Sequence, residues 1–95
     1  MYYREDLVGK IVTIKFNNGI EAIGTLTNYD NDNNMLTFGK LRTVVATEKD
    51  IAIIPYTFTG DSSETVIEKH SIQSMVETLE VSKDGYVKIL KEENE

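Results

Sequence analysis

The residues best suited to bind or react lie in one short stretch, YDNDNNML from Tyr29 to Leu36. Asp30, Asp32 and Asn34 there set oxygen-bearing side chains at one-three-five spacing. That spacing opens a calcium-binding loop, which also needs glycine at its sixth position and a bidentate glutamate at its twelfth. Those positions hold Met35 and Leu41, so no metal site is expected. Aspartate and asparagine also favour turns, because their side chains hydrogen-bond to nearby backbone.

Covalent chemistry has less to work with. The chain has one histidine, His70, no cysteine, no Gly-x-Ser-x-Gly and no phosphate-cradling glycine loop. Nothing marks a nucleophile that His70 would activate, so it reads as a polar turn residue. The chain is not expected to be an enzyme, and no cofactor is expected.

These residues must be positioned by a small fold. A chain of 95 residues buries a small core, so association with copies of itself would help considerably. No apolar run is long enough to cross a bilayer, and Arg4, Glu5 and Asp6 interrupt any leader in MYYREDLVGK. A cytoplasmic protein without a membrane partner is expected. The 10 basic and 16 acidic side chains give a net charge of −6, the wrong sign for gripping nucleic acid mainly through phosphates. Charge is uneven: residues 1–60 hold 6 basic and 7 acidic groups, residues 61–95 hold 4 and 9.

KIVTIKF, Lys10 to Phe16, alternates and is rich in β-branched residues, which predicts a strand with Val12, Ile14 and Phe16 on one face. Asn18-Gly19 suits the positive φ angles of a tight hairpin. A second strand, IEAIGTLTNY, returns antiparallel, and Gly24 within it allows the sharp bend that a small barrel requires. The polar cluster Asp30 to Asn34 ends that strand and MLTF begins a third. Two further β-rich runs, Val44–Thr47 and Ile51–Phe58, suggest another hairpin about Glu48, Lys49 and Asp50, with Pro55 demoting the second run to an edge. ETVIEKHSIQSMVETLEV fits either a helix or a short strand VIE, a turn KHS and a longer strand. SKDGYVKIL is expected to be a hairpin turning at Asp84-Gly85, and residues 2–8 a short helical turn.

The order of these pieces, Leu7-Val8-Gly9-Lys10, a strand, Asn18-Gly19, then Gly24 and Asp30, resembles the first signature of the Sm-like family, which includes bacterial Hfq. Asn34 falls four residues after Asp30, where many members carry asparagine, and Ile67 to Met75, with Lys69-His70, resembles the second signature. A rival register places Thr47 to Ile51 there; the later one retains the Lys-His pair. About two thirds of the chain is covered.

The resemblance implies a mainly all-β fold, a small, strongly bent five-stranded Sm-like or SH3-like barrel with a short N-terminal helix. Residues 1–95 then form one domain, with an insertion at about 39–64 extending the connection from strand 3 to strand 4, and a C-terminal extension at about 80–95. It implies homo-oligomeric rings whose fourth and fifth strands pair between subunits, and a pore that holds single-stranded RNA. By position the RNA-binding residues would be Asp30, Asp32, Asn34, Lys69 and His70, with Gly19 and Gly24 as structural turn and bend. Asp32 occupies the base-stacking position without a ring, and Glu68 stands where eukaryotic members have arginine. Two functions are therefore expected in competition: an RNA-binding ring, or a ring scaffold that binds an unknown protein. A monomeric SH3-like interaction module is a third. Among aromatics, Phe16, Tyr29 and Phe38 are expected in the core. Tyr2 and Tyr3 are expected at a subunit interface or barrel end, with base stacking as the alternative. Tyr56, Phe58 and Tyr86 are expected to pack the added elements on the barrel, with a partner surface as the alternative.

Overall fold

The computed structural model describes residues 4–93. Six strands follow in chain order: β1 (Ile11–Phe16), β2 (Glu21–Asp30), β3 (Met35–Ala46), β4 (Ile51–Pro55), β5 (Glu64–Glu68) and β6 (Ile72–Glu77). One helix, α1 (Glu80–Glu93), closes the described chain, and single 3-10 turns form at Glu5–Leu7 and Lys69–Ser71. The sheet runs β4-β3-β2-β1-β6, all pairs antiparallel, with β5 also on β3. The strongly bent sheet thus has six strands where five are expected: β4 and β5 both pair with β3, and the sheet is not closed. Among the described residues no helix is long and apolar enough to cross a membrane.

Alternation places Val12, Ile14 and Phe16 of β1 inside, against Leu26, Tyr29, Leu36, Phe38, Ile67 and Met75. Leu7 from the first 3-10 turn closes this core at 1% exposure. Tyr2 and Tyr3 lie outside the described residues.

The bend is built where β2 meets β3. Register shifts between Ile23 and Thr25, so that Lys40 and Leu41 oppose the single residue Gly24. Lys40 adopts a left-handed φ of 51°. A Cβ on Gly24 would lie 3.0 Å from Leu41 Cδ1 and 3.2 Å from the Gly39 carbonyl oxygen, so glycine is what admits the fully buried Leu41. β3 therefore continues through what reads in sequence as a separate run at Val44–Thr47. Its first half pairs with β5 and its second with β4.

At the first hairpin only Gly19 takes positive φ, at 91°; Asn18 instead accepts the Ile20 N–H on its side chain at 3.0 Å. ETVIEKHSIQSMVE forms strand, turn and strand, as in the β alternative. The expected C-terminal hairpin is overturned: Asp84 and Gly85 lie inside α1. Ser82, Lys83, Tyr86, Ile89 and Leu90 recur at helical spacing on the inner side, and Tyr86 is fully buried. That burial outweighs the cost of a mid-helix glycine, about 1 kcal/mol relative to alanine. The Tyr86 hydroxyl donates to the Lys40 carbonyl at 2.6 Å and the Arg42 guanidinium pairs with Glu93, so α1 is fastened over the β3 bulge. Tyr56 packs on the core with its ring 6.3 Å from that of Phe16. Phe58 departs from the expected packing, at 87% exposure in the loop after β4.

Candidate functional site

The turn between β2 and β3 is organised by its own first residue. Asp30 Oδ1 accepts the Asn33 backbone N–H at 3.1 Å, and Oδ2 accepts from Asn33 Nδ2 at 2.8 Å. These two bonds hold the Asp30 carboxyl below the ordinary aspartate range. Asp30 thus shapes the loop with both oxygens. Asp32 is carried at the exposed tip. Asn34 then takes a left-handed φ of 57°, which asparagine tolerates better than most residues, and turns the chain into β3.

The second turn, Lys69–Ser71, is brought against the first by pairing of β5 with β3, in which Met35 faces Glu68. One further bond ties the loops themselves: the Lys69 N–H donates to the Asn34 carbonyl at 2.8 Å. Lys69 Nζ lies 5.7 Å from the centroid of the Tyr29 ring, a cation–π distance. His70 is exposed, and its carbonyl accepts from Asn17 Nδ2 at 2.6 Å, while the Asn17 N–H donates to the Ser71 carbonyl at 2.9 Å. The Ser71 hydroxyl donates to the Glu68 carbonyl at 2.7 Å.

Asn34, Lys69 and His70 therefore share one rim, with Asp30 beneath its turn and Asp32 at its tip. Gly19 and Gly24 serve the hairpin and the bend instead. Three residues of this rim are not among the site residues expected from sequence, and one of them, Tyr29, is expected only in the core. Asn33 is the partner of Asp30, Asn17 holds the backbone of His70, and Tyr29 carries Lys69. The Asx turn was legible as a type, since Asp and Asn cluster there; the Asn17 contact spans 53 residues and has no local signal.

An amide, an ammonium and an imidazole on one rim can meet a base edge, a phosphate and a second base. Against them stand the carboxylates of Asp30, Asp32 and Glu68. Among the described residues no three histidine, aspartate or glutamate side chains converge as a metal site would require.

A family model, the LSM domain, matches residues 3–76, a span that includes both turns and all six strands but for the last residue of β6. Among solved structures, a heptameric archaeal Sm protein superposes with a TM-score of 0.56 at 15% identity, covering 79% of this chain and 94% of that one. The SmAP1 heptamer of P. aerophilum gives a TM-score of 0.56 at 16% identity, covering 79% of this chain and 86% of that one. No curated protein sequence matches the chain.

Proposed function

Because the chain belongs to the LSM-domain family, we propose that it assembles into a closed homo-oligomeric ring and binds short single-stranded RNA at the pore through Asn34, Lys69 and His70. The observation that carries this reading is the 2.8 Å bond from the Lys69 N–H to the Asn34 carbonyl, which fixes both turns on one rim. Closure would repeat that rim around an axis, so that weak contacts to successive nucleotides add through effective concentration.

Ring closure is supported by the sheet itself. Among the described residues β5 pairs only with β3 and β6 only with β1, so each presents an outer edge. Exposed apolar side chains accompany them: Val66 on β5, Val76 on β6 and Leu79 just beyond. Pairing β5 of one copy with β6 of the next is head-to-tail and covers both edges when the rotation closes. The archaeal proteins of similar fold are heptamers, which supports the same mode here.

Within the pore the Asn34 amide would read a base edge, Lys69 would meet phosphate, and His70 would bond or stack. Asp32 weakens the site, since stacking on a ring contributes about 1–3 kcal/mol per base and a carboxylate supplies none. The protein in this reading is a cytoplasmic binding protein that changes no covalent bond.

A second reading, a ring scaffold for a protein partner, is favoured by Asp32, Glu68 and the net charge of −6. Fluorescence anisotropy with oligo-U and oligo-A at low and moderate salt separates the two. Binding that is lost in the Asn34→Ala, Lys69→Ala double variant supports the RNA pore. An absence of binding even at low salt favours the scaffold.

A further inference from the structure

Among the described residues the most exposed large apolar side chains are Phe58 at 87%, Val81 at 77% and Leu79 at 74%. None of them lies in a strand. Phe58 stands on the loop between β4 and β5, where the Thr57 hydroxyl donates to the Gly60 carbonyl at 3.0 Å and closes a turn with Phe58 at its tip. The far end of this loop is tied as well: the Lys40 N–H donates to the Ser63 carbonyl at 2.9 Å, and Asp61 Oδ1 accepts the Ser63 N–H at 3.0 Å. Leu79 and Val81 stand where the chain passes from β6 into α1. That junction is held by the 2.9 Å bond between the Thr13 and Thr78 hydroxyls and by Lys83, which bridges Glu77 and Glu80.

Where these residues fall in a ring follows from chain direction. β5 ends at Glu68 and β6 begins at Ile72, so the Lys69–Ser71 turn of the rim joins the end of one outer edge to the start of the other. The β5 edge can take β6 of the next copy in either direction. A parallel pair would set the two strand ends side by side, with successive rims at opposite ends of the contact and Leu79 of the next copy against Lys69 and His70. An antiparallel pair sets Glu68 near Ile72 of the next copy and brings successive rims together, as one pore requires. It also continues the antiparallel order of every pair in this sheet. The other end of the contact is then fixed: Leu79 and Val81 of the next copy, just past its β6, lie beside the loop that runs into Glu64.

We propose that Phe58 of each subunit packs on Leu79 and Val81 of the next, an apolar clasp at the end of the interface away from the pore. This rests on the ring reading and on no property of the RNA. Charge does not hold the contact. Asp61 and Glu64 on one side and Glu77, Glu80 and Asp84 on the other stand against Lys10 and Lys83 alone, so carboxylates outnumber ammonium groups there. Affinity must come from apolar area, of which a covered phenylalanine supplies about 150–250 Å². Aromatic anchors of this kind carry much of the affinity of an interface.

The full chain has no cysteine, so a cross-link reports only the positions chosen for it. Copies carrying Phe58→Cys and copies carrying Leu79→Cys, assembled together and oxidised with copper phenanthroline, should give a covalent dimer on a non-reducing gel. Either alone should give none, because a head-to-tail contact sets position 58 against position 79 and never against itself. Phe58→Ser and Leu79→Ser should each raise the concentration at which half the rings dissociate, read by light scattering, at least about tenfold, the scale of one apolar side chain denied burial. The double variant should lose less than the two effects added, since both act on one contact. Far-UV circular dichroism should be unchanged in each, because both side chains are exposed in the single copy. Ring mass in the parent with no cross-link in the mixture, or with a midpoint that Phe58→Ser does not move, overturns the clasp and leaves the ring standing. So does a cross-link in Phe58→Cys alone, or a double variant whose loss is the full sum. A parent that is monomeric at micromolar concentration overturns the ring and the clasp together.

Discussion

The Tyr86 hydroxyl reaches across 46 residues of sequence to donate to the Lys40 carbonyl at 2.6 Å. The residue it grips is the left-handed one in the β3 bulge, so one bond fastens the helix to the point where the barrel bends.

Removing that bond alone, by Tyr86→Phe, should lower stability by about 1 kcal/mol, and Tyr86→Ala by about 3–5 kcal/mol with loss of helical signal. Urea melts followed by circular dichroism check both. Burial raises the Tyr86 pKa above the ordinary tyrosine value. The folded state thus favours the neutral phenol, so this contribution is complete below the ordinary value of about 10 and declines as pH rises past it. Tyr86→Phe should flatten that alkaline decline.

Gly24 and Gly19 should fail for different reasons. Gly24→Ala presses a methyl against Leu41 and the Gly39 carbonyl, and overpacking of this kind costs about 1–3 kcal/mol. Adding Leu41→Ala should not restore stability, because the Gly39 oxygen and the Leu41 backbone are still in the way. Gly19→Ala meets no atom and should cost about 1–2 kcal/mol through its left-handed φ alone. Denaturant midpoints of the three variants separate the two causes.

Asn33→Ala should return the Asp30 carboxyl toward its ordinary pKa, as followed by NMR titration. A lowered folded pKa means a contribution present above the unfolded value and lost as pH falls through the folded one. The acid limb of the stability curve should therefore be shallower in Asn33→Ala, and the Lys69 amide, whose acceptor is Asn34, should shift in the same spectra.

Asp32→Tyr should strengthen oligo-U binding by about 1–3 kcal/mol per stacked base if the rim holds RNA. Anisotropy at moderate salt reads the change. A variant with a ring at this position that binds no more tightly than the parent would favour the protein scaffold.

Assembly has its own test. Val76→Asp places a charge on the outer edge of β6 and should convert the ring to monomers by light scattering, leaving the circular dichroism of the barrel unchanged. A parent chain that is already monomeric at micromolar concentration would sink both ring readings.

What could be read in advance was set by local physics. The alternation of Val12, Ile14 and Phe16 sorts faces by period, and the spacing of Gly19, Gly24 and Asp30 records a turn, a bend and a second turn. β3 was divided in sequence because its bulge falls on Lys40, a residue with no visible reason to adopt a left-handed φ. Asp84-Gly85 misled for the opposite reason: a strong local turn signal was overruled by Tyr86, whose buried partner lies far away in sequence. The site followed the same rule. Asn34 and Lys69 could be placed from their turns, whereas Asn17 beneath His70 could not, since only the folded sheet brings them together.

β3 carries β5 and β4 end to end along the side opposite β2, so the chain leaves the sheet at Pro55 and rejoins it at Glu64 with the same strand holding both stretches. An epitope or fluorophore spliced at Thr59-Gly60, beside the exposed Phe58, would interrupt no strand pairing. A cut there would yield two fragments that β3 still clasps, which makes this loop the natural place to split the protein for a complementation reporter.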